Sequence, residues 1–290
     1  MAGSRAYACP WCGHAGAIDA DAPNCPACGA AVDVRMMADD AGWVRLPPIR
    51  DLARLRFGHS RCQIEGTYVP VADFDLAPQD HLYFNHHVLL WKEPRTQTPC
   101  LPLKGWWRRL LAGLPLVMLK AQGPGRIAFS NDAPGEIIAI PLEAGASIDV
   151  RAGSFLVASG QIHYDWVNSG VWYRTAGWHY PIGRFLDRFT AVDQHGLLLL
   201  HGSGTVFVRQ LEAGQSLLVK PSALVYWDPR VSLSLHIEHP RGFNNDWPRR
   251  YVWLRLRGPG RVAIQSAGRH WEDPPQPVSD MSAGSRVKDW

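Results

Sequence analysis

The segment Leu142-Glu-Ala-Gly-Ala-Ser-Ile-Asp-Val-Arg151 recurs further along the chain as Leu211-Glu-Ala-Gly-Gln-Ser-Leu-Leu-Val-Lys220. A second apolar run follows each copy, at residues 154–158 and 223–227, and a weaker copy begins at Leu76. Short apolar runs separated by glycine turns are typical of β-strands. A repeat of roughly 70 residues indicates stacked supersecondary units. The pattern therefore predicts an all-β domain built from three internal repeats.

A second element recurs around paired glycines. The segment Gly123-Pro-Gly-Arg-Ile-Ala-Phe129 resembles Gly258-Pro-Gly-Arg-Val-Ala-Ile264, and Gly202-Ser-Gly-Thr-Val-Phe207 is a looser version. Each follows a strand-like run, so the pattern predicts a β-hairpin at each place. The last of them, at 251–266, is interpreted as the start of an incomplete unit. We expect it to pack against the first copy and to close the β structure.

Two cysteine pairs stand near the start of the chain. They read Cys9-Pro-Trp-Cys12-Gly and Cys25-Pro-Ala-Cys28-Gly. Each pair is a tight turn that aims two thiolates at one point, and four thiolates suit tetrahedral zinc. A closed shell of four cysteines leaves no position for substrate, so one structural Zn²⁺ per chain is predicted. Disulfides or redox pairs are the alternative, which the spacing of the cysteines disfavours.

Composition narrows the class of protein. The chain has 290 residues, a formal net charge of +4 and 46% hydrophobic residues, without a dense Lys/Arg tract. That balance fits a folded protein and gives little support to a nucleic-acid-binding arm. We expect no signal peptide, because the residues before Cys9 leave no room for an apolar h-region, and the apolar runs are shorter than a membrane span needs. We expect a cytoplasmic protein, where cysteines favour metal binding over disulfides.

The predicted organisation has four parts. Residues 1–35 form the zinc ribbon, 36–56 a linker, 57–268 the repeated β domain and 269–290 a disordered tail. Two further cysteines, Cys62 and Cys100, fall in β or loop segments. We expect both to be small buried side chains.

The order of these motifs resembles the altered-inheritance-of-mitochondria family. The matching segments run from Gly123 through 134–137 and 142–150 to 155–156, and on to the glycine motifs at 202 and 211. The resemblance covers roughly residues 60–266 and implies a β-sandwich or double-stranded-β-helix-like fold, similar to the tryptophan RNA-binding attenuation protein. It also implies self-association. No catalytic residues come with the family, and the zinc ribbon is an addition to its common pattern.

Twelve histidines raise the alternative of a metal enzyme of double-stranded β-helix type. Adjacent His86 and His87 would point to opposite faces of a strand, and neither His-x-His nor His-Glu-x-x-His occurs. A catalytic metal in the β domain, and any enzymatic activity, is therefore not expected.

One local segment suggests a contact surface. In a helix, Trp106 and Leu110 would lie on one side, with Trp107 and Leu111 next to them. Arg108 and Arg109 would flank that side. Such a piece could lie on an anionic membrane surface or dock to a neighbouring subunit. A short helical insert that covers one end of the β core is the favoured alternative.

These observations favour a non-enzymatic binding or scaffold protein. It is expected to self-associate through its β domain and to contact an unidentified protein partner through the zinc ribbon. The alternative is a nucleic-acid-associated protein that uses the ribbon and the β assembly, which rests on analogy of fold alone.

Overall fold

A computed structural model of the chain describes residues 4–9, 14–19, 22, 24–27, 44–45, 53–101, 118–175, 178–238 and 251–268. Within these residues the regular elements are 25 strands and two short 3-10 helices, His86–Val88 and Pro221–Ala223. The all-β prediction is therefore confirmed. None of the helices in these ranges is long and apolar enough to cross a membrane.

Five strands precede residue 70. They are β1 (Ser4–Ala8), β2 (Ala15–Asp19), β3 (Val44–Arg45), β4 (Ala53–Phe57) and β5 (Ser60–Glu65). β1 and β2 form an antiparallel pair within the predicted ribbon. β3 and most of β4 fall in the stretch predicted as a linker, and both are paired into larger sheets.

The other strands form three successive sets. The first set contains β6 (Val71–Leu76), β7 (His81–Phe84), β8 (Leu89–Lys92), β9 (Cys100–Leu101), β10 (Met118–Gln122) and β11 (Gly125–Phe129). The second set contains β12 (Gly135–Leu142), β13 (Ser147–Val150), β14 (Phe155–Ser159), β15 (Ile162–Asn168), β16 (Trp172–Thr175), β17 (Trp178–Pro181), β18 (Phe185–Ala191) and β19 (Gly196–Ser203). The third set contains β20 (Val206–Leu211), β21 (Ser216–Val219), β22 (Leu224–Trp227), β23 (Ser232–Glu238), β24 (Tyr251–Arg257) and β25 (Gly260–Gln265).

One order of antiparallel pairing holds in all three sets. The first strand of each set pairs with the last, as β6–β11, β12–β19 and β20–β25. The second strand pairs with the last but one, as β7–β10, β13–β18 and β21–β24. The third strand also pairs with the last, as β8–β11, β14–β19 and β22–β25. In each set the first and third strands therefore flank the last strand in one sheet, and the second strand pairs with the last but one in another.

The glycine motifs predicted as hairpins are corners between sheets. β10 and β11 flank the motif at Gly123 but pair with different strands, and the same holds for β24 and β25 around Gly258. β19 and β20 likewise belong to different sheets. The hairpin prediction is therefore wrong. Two apolar strands around a glycine turn have the same local pattern in both geometries, so the tertiary pairing decides between them.

Four sheets carry the domain. Sheet 1 has the order β4-β5-β6-β11-β8, sheet 2 β12-β19-β14-β7-β10-β9, sheet 3 β15-β18-β13-β22-β25-β20-β3 and sheet 4 β21-β24-β23. Side chains of sheets 1 and 2 form the first core, those of sheets 2 and 3 the second core and those of sheets 3 and 4 the third core. β16 and β17 form a separate two-stranded ribbon.

The leucine run in β19 shows how a middle sheet is buried on both faces. Leu197 and Leu199 contribute to the first core, whereas Leu198 and Leu200 contribute to the second. Because successive side chains of a strand point to opposite faces, a strand between two cores must be apolar at every position.

The last two strands complete the third set. β24 pairs with β21 and β23, and β25 pairs with β20 and β22. The prediction that 251–266 starts an incomplete unit against the first copy is therefore wrong. Because each set pairs its first strands with its last ones, strands far apart in sequence belong together, and the boundary of the unit cannot be placed by local similarity.

Candidate functional site

The predicted zinc site is described for two of its four ligands. Cys9 follows β1 directly, and its backbone N–H donates to the carbonyl oxygen of His14, the residue before β2, at 2.8 Å. Cys9 and Cys25 are both buried and belong to the same hydrophobic cluster. Cys12 and Cys28 lie outside the described residues, so the four-cysteine set stays a prediction.

The segment predicted as the zinc ribbon packs against sheets 1 and 2 through Cys9 and Cys25. The cluster that contains Cys9 and Cys25 is the first core, and Tyr7 of β1 packs against it. Among the described residues, no group of three or more His, Cys, Asp or Glu side chains is arranged to hold a metal ion. Of the four predicted ligands, only Cys9 and Cys25 are among these residues.

The predicted contact segment cannot be placed. Trp106, Trp107, Arg108 and Arg109 all lie outside the described residues. Its proposed role in a membrane or partner contact stays a prediction.

The remaining cysteines differ from each other. Cys62 is buried as expected, and burial raises the pKa of its thiol, with the charge of Asp73 acting in the same direction. It therefore stays protonated at neutral pH and behaves as a small apolar side chain. Cys100 is exposed in β9, so the prediction that it is buried is wrong. Among the described strands, β9 is at the edge of sheet 2 and pairs with β10 alone, which leaves one side of Cys100 without a neighbouring strand.

Asp80 links two turns at one end of the first set. Its Oδ2 accepts from the backbone N–H of His59 at 2.7 Å and from the Ser60 hydroxyl at 2.6 Å. The same hydroxyl oxygen accepts from the backbone N–H of Ala77 at 2.9 Å. This buried carboxylate therefore holds the turn between β4 and β5 against the corner between β6 and β7.

His201 has a comparable role in the second set. It is buried in β19, and its Nε2 lies 3.0 Å from the carbonyl oxygen of Ala133, to which it can only donate. Nδ1 then accepts from the Asn131 amide at 2.9 Å. The two bonds select one neutral tautomer and tie the loop before β12 to its paired strand.

A bidentate ion pair crosses sheet 3. The guanidinium of Arg188 donates to both carboxylate oxygens of Asp149, at 2.6 and 2.8 Å. These hydrogen bonds raise the pKa of Arg188, and Asp149 is almost fully buried. Because the two residues are directly paired in β13 and β18, the contact stabilises that strand pair.

A polar pair lies at the start of β7. His81 Nε2 is 2.8 Å from the hydroxyl of Tyr83, and the rings meet edge to face. Burial lowers the pKa of His81, and the charge of Lys120 on the neighbouring strand lowers it further, whereas Asp80 acts in the opposite direction. Burial also raises the pKa of Tyr83. Both side chains are therefore neutral near pH 7.

Two strands leave apolar side chains exposed at sheet edges. In the described part of the chain β8 borders sheet 1 and β21 borders sheet 4, and each has one hydrogen-bonded neighbour, β11 and β24. Leu90 and Trp91 of β8 are 50% and 41% exposed, and Leu218 of β21 is 39% exposed. The Arg126 guanidinium lies 6.0 Å from the Trp91 ring centroid. We call the free sides of β8 and β21 the open edges.

The sequence pattern predicts strands at the open edges but does not predict that their apolar side chains are exposed. Leu89-Leu90-Trp91 has the same apolar pattern as buried third strands elsewhere in the chain, so pattern alone gives no indication of it. The only available indication is position, because β8 belongs to the first set and β21 to the last.

The fold and sequence were compared with those of known proteins. A crystal structure of the protein SPYM3_0169 from Streptococcus pyogenes superposes with a TM-score of 0.54 at 19% sequence identity, covering 72% of this chain and 94% of the other. At that identity the similarity concerns the fold alone. No curated protein matches the sequence. The family model described as mitochondrial biogenesis AIM24 matches residues 62–267, and the chain therefore belongs to the AIM24 family.

Proposed function

We propose that the chain is a non-enzymatic scaffold protein of the AIM24 family. It self-associates through its β domain and contacts a protein partner through a structural zinc ribbon. The observation that carries the proposal is the use of its buried polar side chains. The buried side chains of Asp80, Asp149 and His201 all bond to groups that join one strand or turn to another, and the partner of Asp149 is the partly exposed Arg188. Such groups stabilise the fold and leave association to the surface.

We also infer that the three sets are copies of one unit. They share an order of pairing, and their third strands share a β-bulge, which skips Leu90, Leu156 and Val225. The bulge has the same position in all three sets. This supports common descent of the sets better than the apolar pattern does, since a bulge is a specific departure from regular pairing.

The zinc ion belongs to the same proposal. Cys9, Cys12, Cys25 and Cys28 would hold one Zn²⁺ per chain, and the ion would supply the folding free energy that a short ribbon lacks. Burial of Cys9 and Cys25 in the first core supports a ribbon that is packed on the β domain.

Two measurements on the reduced full-length protein test the proposal. Elemental analysis should give one zinc per chain, and light scattering during size-exclusion chromatography should give a mass at least twice the 32.3 kDa of one chain. Two metal ions per chain would instead support the enzyme alternative. RNA binding that weakens steeply with salt would support the nucleic-acid alternative.

A further inference from the structure

The order of the sets along the chain follows a rule at their junctions. The second strand of one set pairs with the third strand of the next, as β7 with β14 and β13 with β22. The register is also shared. At both junctions the last residue of the second strand pairs with the residue that follows the bulged one, as Phe84 with Val157 and Val150 with Tyr226. Both junctions are antiparallel and extend a sheet from one set into its neighbour.

The open edges are the two halves of a third junction. β21 is the second strand of the last set, and no fourth set follows it in the described chain. β8 is the third strand of the first set, and no earlier set precedes it there. Each edge therefore lacks, among the described strands, the partner that its counterparts have.

Burial at the formed junctions shows what the open edges lack. The bulged residue of the second set, Leu156, is fully buried in the first core, and that of the third set, Val225, is fully buried in the second core. Their counterpart Leu90 is 50% exposed. By the same rule, the place for Leu90 is the third core, to which Val219 of β21 contributes.

We propose that β8 of one copy of this chain pairs antiparallel with β21 of a second copy. The inference rests on the proposed self-association and names the surface that carries it. The shared register places Trp91 opposite Val219 and Lys92 opposite Leu218. Sheet 1 of one copy and sheet 4 of the next then form one eight-stranded sheet. The contact is head to tail, so it produces rings or filaments.

The edges suit each other in chemistry. Both strands have four residues, and their exposed side chains are mainly apolar. β8 contains no proline, and its one lysine, Lys92, bonds to the carbonyl oxygen of Thr96 and the hydroxyl of Thr98 at 3.0 Å. The bulge in β8 is also present in β14 and β22, which are paired across their junctions, so it does not prevent pairing. β21 contains no charged residue and no proline, so neither Pro nor a free charge within these strands opposes pairing with another chain.

A charge on the open edge tests the proposal. Because Leu90 is half exposed in the single chain, Leu90→Asp should fold normally, and its mass by light scattering should fall to 32.3 kDa. The matched control is Val192→Asp, since Val192 is 54% exposed outside both open edges, and it should keep the wild-type mass. An oligomer that Leu90→Asp leaves intact would overturn the edge pairing but not self-association. A monomeric wild type would refute self-association itself.

Cross-linking distinguishes pairing between copies from closure within one chain. Side chains directly opposite in an antiparallel pair have Cβ atoms about 5 Å apart, so cysteines there can form a disulfide after small shifts. In a Cys100→Ser background, one tagged copy carries Trp91→Cys and another carries Val219→Cys. A disulfide between the two tagged chains supports the proposal. A single chain that carries both substitutions detects closure within one copy. The absence of a cross-link between copies, or a disulfide that forms only within the doubly substituted chain, overturns the proposal.

Discussion

Replacing Arg188 by methionine should destabilise the protein strongly. The substitution leaves the nearly buried Asp149 carboxylate without the guanidinium that donates to both of its oxygens. Breaking a buried ion pair by removing one partner costs about 3–5 kcal/mol. Because about a third of the Arg188 side chain is exposed, water can partly replace it, so we expect a loss at the lower end, about 3 kcal/mol.

The assay is urea unfolding followed by tryptophan fluorescence, with a double variant and a surface control. Asp149→Leu combined with Arg188→Met removes both charges, and its stability should return to within about 1 kcal/mol of wild type. The control is Arg95→Met, since Arg95 contacts Glu93 at 2.7 Å but is mostly exposed. Its cost should stay below about 0.5 kcal/mol. If Arg188→Met and Arg95→Met lower the free energy of unfolding equally, the burial of the Asp149 carboxylate does not determine the cost, and the reasoning is refuted.

Three further predictions concern a corner, a titrating group and the metal. Gly123→Ala should lower the free energy of unfolding by about 2 kcal/mol in urea titrations, because its Cβ would overlap the backbone oxygen of Ala77. Burial and Lys120 lower the pKa of His81 below 6.5, so the unfolded state binds more protons and stability should fall as pH drops through 6.5. Thermal midpoints of His81→Gln should show a smaller fall over that window than wild type. Cys9→Ser should reduce bound zinc below one per chain by elemental analysis and lower the thermal midpoint.

Much of the fold follows from local pattern. The recurrence of the segments at Leu142 and Leu211, with the apolar runs that follow them, predicts strands and turns, and these strands form as β13, β14, β21 and β22. Local pattern does not say which strands pair. Gly123 and Gly258 look like hairpin glycines, but each marks a corner at which the chain passes into another sheet. The backbones of two corners meet there, since a Cβ at Gly258 would overlap the carbonyl oxygen of Glu212.

Polar contacts at long sequence separation were also beyond prediction. The bond between Asp80 and Ser60 spans a turn and two strands, and that between His201 and Asn131 joins a strand to a loop 70 residues earlier. A lone buried histidine or aspartate has no periodicity, so nothing in the sequence separates its structural role from a catalytic one. The cysteine pairs differ in this respect, because metal ligands are brought together by short turns and their spacing is visible in sequence.

The open edges show that burial of an apolar side chain depends on which strands pair, and not only on the sequence of its own strand. Leu90, Leu156 and Val225 occupy the same bulge in three similar strands, but only Leu90 is exposed. The difference cannot come from the strands themselves, since each pairs with the last strand of its own set in the same way. It comes from the junctions, because the three sets in the described part of the chain have two junctions between them and two unmatched ends. An apolar residue kept at an unmatched end is exposed in a single chain, and pairing with a second copy would bury it.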